Sequence, residues 1–536
     1  MKVQSTITIL LVASRHFAQA AFSTVSPPTL GSDRILKLTQ KLNELARDNK
    51  AEEATALLGR MERDYFDSSG PDESLRPNVF SYGNVLNAWT RRAQLNKICR
   101  AQSSIEEISY PARTAEKILD RMILACESDA LKSCARPNTV CFNTVLAAWA
   151  QSGIKGQYAA KKCERLLFKM EQLNNSLSIP SILDDESFSL RPDVVSYSTV
   201  LNAWAQSGTG RIGAQRAERV LDRMCQSDDK EIRPNLVSFN TCIKAWAKSG
   251  EGSYGARRAE KLLDRMQSYG VTPDLHTWNT IIDCWSKSRS KESGQKAEEI
   301  LRKMNGQFLI SGNMEDMPNI MTYNSVLDAW SKSRSPIAAV RAKAILDHLE
   351  KHAKKNSIIR ADKLTYSMVI NAFAGSREAD KVERTEEIFQ RMTNAGLQPD
   401  VHTYTSIIKA CAYDFDNGEN SYHIAKKYMN QMRESTQAKP NNISYATMLR
   451  ACKHLLYQGS MFCDNEVERI FKECCEGGQC CQFVISQLKG AASKRLLSKL
   501  LPNDYVHPSW KKNVIGRNDY FQNFRKKSNK ERAYKR

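Results

Sequence analysis

The side chains of this 536-residue chain that could do chemistry fall into two groups, each defined by spacing. One is the run CCEGGQCC, which gathers Cys474, Cys475, Cys480 and Cys481. Structural zinc is held by thiolate pairs two to four residues apart, repeated further along the chain. These vicinal pairs match neither a ribbon nor a finger, and no Cys-x-x-Cys occurs anywhere, so the run reads as a turn with packed thiols. The other group is a short polar residue that recurs directly after an aromatic: Asn143, Ser198, Asn240, Asn279, Asn324, Ser367 and Thr405. Before the next aromatic in each case stands an Asp or Asn: Asp193, Asn235, Asp274, Asn319, Asp362, Asp400 and Asn441. Amides, hydroxyls and carboxylates spaced this way offer a series of donor and acceptor patterns. No clustered carboxylates with nuclease spacing, Gly-rich phosphate loop or Ser/His/Asp pattern accompanies them, so the chain reads as one that recognises rather than transforms.

The elements that must position these residues repeat with them. RPNTVCFNTVLAAWAQSG from Arg136, RPDVVSYSTVLNAWAQSG from Arg191 and RPNLVSFNTCIKAWAKSG from Arg233 are near copies, continued from Thr272 and Met317, with weaker copies around Tyr82, Tyr366, Tyr404 and Tyr445. Aromatic to aromatic, the intervals from Tyr82 to Tyr445 are 60, 55, 42, 39, 45, 43, 38 and 41 residues. Pro followed by Asp or Asn ahead of an apolar-periodic run is a helix start, because Pro blocks a preceding helix and the short polar side chain caps the new one. Tyr197, Val200, Leu201 and Trp204 then fall on one helical face. After a Gly- or Ser-containing turn a second amphipathic helix follows, its face repeating as Ala217, Val220, Leu221, Met224 and as Ala259, Leu262, Leu263, Met266. Helix A, turn, helix B is the unit, and the variable spacing is expected mainly between helix B and the next Pro, as from Gln172 to Leu190.

Bulk composition narrows the partners. The chain carries 79 Lys+Arg against 59 Asp+Glu, a formal +20, which favours a polyanion. From Gln482 onward 14 basic residues face 3 acidic ones, so more than half of the excess sits in a terminal segment that can hold phosphates without reading sequence. Fifteen scattered cysteines, many at apolar helix positions such as Cys242, Cys284, Cys411 and Cys452, read as buried thiols of a reducing compartment. No apolar run approaches the roughly 18 residues of a membrane span, and no membrane role is expected. The first 33 residues, poor in acid with a short apolar stretch from Ile7 to Ala13, read as a targeting segment, mitochondrial by Arg15-His16-Phe17 or plastid by the AQAAF that follows.

The Pro-Asp/Asn start, the aromatic followed by Asn, Ser or Thr, and the closing Ala-x-x-Leu-Leu-x-x-Met helix together resemble the pentatricopeptide repeat family, most like its P class with lengthened repeats. The tetratricopeptide pattern differs, since it places Trp, Leu-Gly and Tyr inside helix A. The resemblance implies an all-α solenoid of helical hairpins wound as a right-handed superhelix, with a degenerate repeat or N-terminal cap at 34–66, an array of about nine units at 76–452, and a helical then basic tail at 453–536. Family units run to about 35 residues, and every interval here is longer.

The resemblance also implies roles. The family reads one RNA base per repeat through the residue after the aromatic, paired with the Asp or Asn before the next repeat. Carried over, Asn143 with Asp193, Asn240 with Asp274 and Asn324 with Asp362 take uridine. Ser198 with Asn235 and Thr405 with Asn441 take adenine, Asn279 with Asn319 cytidine, and Ser367 with Asp400 guanine, giving UAUCUGA from 5′ to 3′. Gly83 and Ala446 stand at the reading position of the outer copies and offer no side-chain hydrogen bond. Val140, Val195, Val237, His276, Met321, Leu364 and His402, three residues before each reader, occupy the base-stacking position, although packing of helix A alone could also place them there. Lys248, Lys287 and Lys332, eight after it, occupy the phosphate position, where dipole complementarity alone also favours lysine. The recurrent Trp at 89, 149, 204, 246, 285 and 330 continues the apolar face and reads as core. Some plant members end in a zinc deaminase; His348-Leu349-Glu350 fits half of that motif, but the missing Cys-x-x-Cys leaves the site incomplete. The expectation is therefore a monomeric, non-enzymatic, cofactor-free protein that binds single-stranded RNA in a mitochondrion or plastid, alongside RNA-processing proteins, for processing, stability or translation. The rival is a helical-repeat scaffold whose groove holds a peptide.

Overall fold

The computed structural model describes residues 32–67, 76–96, 104–127, 136–176, 190–355, 359–502, 507–511 and 513–514. Residues 1–31 of the targeting segment lie outside them. Twenty-two α-helices and no strands occur among the described residues. Helices of type A are α1 (Ser32–Arg47), α3 (Val79–Asn96), α5 (Thr139–Gln151), α7 (Val194–Gln206), α9 (Leu236–Lys248), α11 (Leu275–Ser288), α13 (Ile320–Ser333), α15 (Lys363–Ala374), α17 (Val401–Ala412) and α19 (Asn442–Leu455). Each is followed by a type B helix: α2 (Ala51–Asp67), α4 (Ile105–Glu127), α6 (Tyr158–Ser176), α8 (Arg211–Gln226), α10 (Ser253–Ser268), α12 (Ser293–Ser311), α14 (Ala338–Lys355), α16 (Lys381–Asn394), α18 (Gly418–Glu434) and α20 (Met461–Glu476). Two short helices, α21 (Gln482–Ala491) and α22 (Lys494–Leu500), follow. The chain divides into two compact units, 1–249 and 250–536.

In each unit an A helix packs on the A helix of the next repeat while the intervening B helix packs on both, which is how a hairpin with one apolar face buries it on a neighbour. The predicted faces are the core. Tyr197, Val200, Leu201 and Trp204 of α7 and Ala217, Val220, Leu221 and Met224 of α8 are all buried, and the same positions are buried along both units. The tryptophans are core residues, as their spacing requires, and several of them also link repeats. Trp149 Nε1 donates to Glu116 at 3.1 Å, Trp246 to Glu218 at 2.9 Å and Trp330 to Glu298 at 3.1 Å, each a glutamate on the preceding B helix. Glu350 of the half-motif accepts from the Tyr366 hydroxyl at 2.8 Å and from Arg391 at 2.6 Å, so it is tied into the stack. Such pairs as Arg223–Glu171 and Arg433–Glu473, both 2.5 Å, join successive B helices and occupy part of the basic charge.

Two expectations need correction. The extra length of the long repeats is carried partly by longer helices, α3 (18 residues), α4 (23) and α12 (19), and not only by a loop before the next Pro. The stretch from Gln172 is helical to Ser176; 177–189 lie outside the described residues. Helical stacking also continues past residue 452. α20 is the B helix of the last hairpin, and α21 covers α19 by burying Val484, Ile485, Leu488 and Ala491. The helical part of the tail beyond the cysteine run is two helices, broken at Ala492 and Ser493, where Ser493 caps α22.

The cysteine run spans the last turn of α20, which holds Cys474 and Cys475, and the turn into α21, which holds Cys480 and Cys481. Gly478 has φ +67°, the Cys480 N–H donates to Trp510 O at 2.7 Å, and Cys481 stands at the N-cap of α21. Burial pushes the Cys474 thiol far up, and a hydrogen bond with Cys480 together with burial does the same to Cys475. Thiols held protonated are poor nucleophiles and ligands. The twelve cysteines whose side chains are described are free thiols.

At the carboxyl end of the array Glu466 of α20 accepts from Lys426, Tyr422 and Arg469, each at 2.8 Å. Burial alone would raise its carboxyl; these three donors outweigh burial and hold it at about 2. A depressed carboxylate stabilises the fold above its ordinary range, near 4.5, and loses that contribution as pH falls through about 2. Glu466→Gln is therefore expected to lower Tm at pH 7, with the gap to wild type narrowing below pH ~4.5. Thermal melts from pH 7 to pH 3 check it; a gap that stays constant would count against the assignment.

Candidate nucleic-acid interface

The candidate site begins at the first turn of every A helix. Asp193, Asn235, Asp274, Asn319, Asp362, Asp400 and Asn441 are the N-caps of α7, α9, α11, α13, α15, α17 and α19, in extended backbone, each accepting the backbone N–H three residues on. One oxygen of each is thus committed to starting a helix, which leaves the other atom of the carboxylate or amide to face outward. Asn and Asp are both strong caps, so the helix tolerates either and the choice between them is left to another purpose.

The readers meet these caps across repeats. Asn143 Nδ2 donates to Asp193 Oδ1 at 3.1 Å and to Oδ2 at 3.3 Å. Asn324 Nδ2 does the same to Asp362 at 3.1 and 3.2 Å. The resemblance pairs these residues, and the fold brings them into contact although 50 and 38 residues separate them. The Asn279–Asn319 pair differs. Asn319 Oδ1 caps Thr322 N–H at 3.1 Å, and Asn279 Oδ1 is buried without a hydrogen-bond partner, an acceptor that a ligand's amino group would satisfy. Asn240 lies in the first unit and Asp274 in the second. Ser198, Ser367 and Thr405 each contact a hydroxyl of the next A helix, Ser238 at 3.1 Å, Thr403 at 2.7 Å and Ser444 at 3.0 Å.

Those hydroxyls belong to residues the sequence reading did not single out: Ser196, Ser238, Thr277, Thr322, Thr365, Thr403 and Ser444, one before each aromatic, all buried. The recurrence of Ser or Thr there was visible and could have pointed to them. The structure also orders the reader and the cap by depth. Asn324 is only 5% exposed and Ser367 6%, whereas Asp362 and Asp400 are half-buried, so in these two pairs of the free protein the cap is the more accessible member.

All seven stacking candidates are solvent-facing. Val140 is 66% exposed and Met321 68%; Val195, Val237 and Leu364 are about as open, and His276 and His402 are exposed too. Phe80 and Ile443 occupy the same position in the outer copies and are also exposed, which the sequence reading left out. Large apolar side chains at one fixed, open helical position are not packing helix A, and an apolar row of this kind suits flat bases. The lysines are less straightforward. Lys287 and Lys332 stand in the last turns of α11 and α13 but pair one turn back with Asp283 and Asp328, both at 2.5 Å. Ser286 also donates to Asp328. Each ammonium thus spends one of its three donors on an aspartate, whose charge opposes the approach of a phosphate. Lys248 ends α9 and is exposed.

With this geometry in hand, the comparisons locate the class. The PPR repeat family matches residues 234–287 and 361–412, and the pentatricopeptide repeat domain matches 182–249 and 387–454. The chain therefore carries pentatricopeptide repeats, matched over 182–287 and 361–454 and built as helical hairpins. Among solved structures it is similar to the pentatricopeptide repeat protein PPR10 from maize, with 19% identity and a TM-score of 0.32 over 93% of this chain and 70% of that one. It is also similar to PPR10 in complex with an 18-nt psaJ RNA element, with 17% identity and a TM-score of 0.31 over 91% and 82%. No curated protein matches the chain. Among the described residues no helix is long and apolar enough to cross a membrane.

Proposed function

We propose that the array binds a single-stranded RNA segment, one nucleotide per repeat, and acts on an organellar transcript by occupying it, so that processing, stability or translation changes without catalysis by this chain. What supports the reading is one recurring arrangement: an exposed apolar or imidazole side chain at the second helical position, beside an N-cap whose outer atom is carboxylate oxygen or amide nitrogen. A base can stack on the first and present its Watson–Crick edge to the second. The expected core is UAUCUGA, read by Asn143–Asp193, Ser198–Asn235, Asn240–Asp274, Asn279–Asn319, Asn324–Asp362, Ser367–Asp400 and Thr405–Asn441.

Binding of the full chain to a UAUCUGA single strand is expected to exceed binding to the duplex of that sequence, because pairing hides the edges. Affinity is expected to fall steadily with salt as released counterions oppose it. Equal affinity for strand and duplex in fluorescence anisotropy would contradict groove reading. Truncation after Val514 removes eight basic and two acidic residues without touching α21, and should weaken all single strands about equally, since charge alone carries no sequence information.

A further inference from the structure

In two repeats the buried hydroxyl that precedes the helix A aromatic bonds the preceding repeat's reader amide as well as its own N-cap, whereas Thr322 bonds its cap Asn319 and leaves the Asn279 carbonyl unpartnered. Thr365 Oγ1 lies 2.8 Å from Asn324 Oδ1 and 2.9 Å from Asp362 Oδ1, while accepting the Asp362 N–H at 3.1 Å. Ser196 repeats this, at 2.6 Å from Asn143 Oδ1 and 2.9 Å from Asp193 Oδ1, accepting the Asp193 N–H at 3.3 Å. A hydroxyl has one proton to give. Asp362 Oδ1 already receives the Thr365 N–H at 2.8 Å and the Asn324 amide, so the proton is best used on the Asn324 carbonyl, which has no other donor in this cluster. That bond determines which way round the reader's amide lies: carbonyl toward the hydroxyl, NH2 toward the carboxylate. A reversed amide would set its NH2 against the hydroxyl and its oxygen against the carboxylate.

The chain contains its own control. Each of the seven polar readers is followed, at this position of the next A helix, by Ser or Thr: Ser196, Ser238, Thr277, Thr322, Thr365, Thr403 and Ser444. Gly83 and Ala446, which have no polar side chain to orient, are followed by Cys141 and Val484. Were the hydroxyl needed only to cap its own helix, it would have no reason to vanish where the preceding repeat has nothing to orient. Asn138 caps α5 by accepting the Cys141 N–H without one.

We propose that Ser196 and Thr365 form a third specificity-determining position of the amide-reading repeats, positioning residues that orient the preceding readers Asn143 and Asn324 toward the base. The inference rests on the RNA-reading function proposed above. The test uses the full-length protein and two single-stranded RNAs, UAUCUGA and UAUCCGA, which differ only at the base assigned to Asn324 and Asp362. Thr365→Val keeps the buried volume and removes the proton. It is expected to shrink the wild-type preference for the uridine strand roughly three- to tenfold, about what one hydrogen bond is worth, and Thr365→Ser is expected to restore it. Ser196→Ala with strands differing at the first base is the parallel experiment, which decides the matter if Thr365→Val does not fold. A purely structural role would lower Tm and weaken both strands equally, leaving their ratio unchanged. If Asp362→Asn shifts the preference while Thr365→Val and Ser196→Ala leave the ratios intact, the proposal is overturned and base reading stands. If wild type shows no preference between the strands and Asp362→Asn creates none, base reading itself fails and the proposal with it.

Discussion

Asp362→Asn is expected to turn the fifth base of the target from uridine toward cytidine without unfolding the repeat. Asp362 Oδ1 accepts the Thr365 N–H at 2.8 Å and the Asn324 amide at 3.1 Å, while Oδ2 shares only that amide, at 3.2 Å, and keeps a second lone pair for a base. Uracil offers N3–H to it; cytosine has a lone pair there, and two acceptors would oppose each other. The amide keeps Oδ1 as the cap, a role Asn fills as well as Asp, and puts NH2 where Oδ2 was. The ratio of affinities for UAUCUGA and UAUCCGA is expected to swing by about 1–3 kcal/mol, on the order of five- to a hundredfold. Asn279–Asn319 is the native pair with the same two side chains as the product, although its reader carbonyl is unpartnered whereas the Asn324 carbonyl is held by Thr365. Titration of both strands against wild type and mutant checks the swing. A mutant that binds RNA with the wild-type ranking would show the base assignment to be wrong even though the fold is right.

Trp330→Ala is expected to be the most damaging change to the second unit. The indole is buried, fills the joint between α12 and α13, and donates to Glu298, which Arg341 of α14 also holds. Truncation removes the contacts, leaves a cavity and strips Glu298 of one donor, together about 3–5 kcal/mol. Gly294, in the first turn of α12, faces the same ring so closely that any Cβ would overlap it, so Gly294→Ala forces the ring or the helix to move at about 1–3 kcal/mol. The two changes should not add: in a Trp330→Leu background the extra methyl of Gly294→Ala has somewhere to go, and its cost should largely disappear. Denaturant melts of the four proteins test this, and full additivity would mean that the glycine is not there for the ring. Because stability in a repeat array is built from neighbour contacts, unfolding is expected to become less cooperative near this joint.

How much was legible varied with how local each feature is. The caps, the aromatic-to-Trp face and the Ala-Leu-Leu-Met face follow from rules that act within one or two helical turns, and they could be read off Pro-Asp-x-x-x-Tyr directly. The exposed row from Val140 to His402 was also legible, because position relative to the cap decides which side of a helix a residue takes. The salt bridges of Lys287 and Lys332 with Asp283 and Asp328 lie at i,i+4 and are equally legible in the sequence.

What the amino-acid sequence determined by itself was the unit: a capped A helix, a B helix and a polar residue at a constant place on the first. What only the tertiary structure decided was which groups meet between units. Asn143 touches Asp193 and Ser196 across 50 and 53 residues, and neither contact follows from any local rule. It exists because A helix stacks on A helix in one register, whatever length of chain lies between. The near-complete burial of Asn324, the two-sided bonding of its amide and the continuation of the stack through α20 and α21 have the same origin. Helix formation is settled by neighbours along the chain, whereas the facing of one repeat on the next is settled by the fit of two apolar surfaces, and that fit brings together polar groups whose partnership depends on the packed geometry.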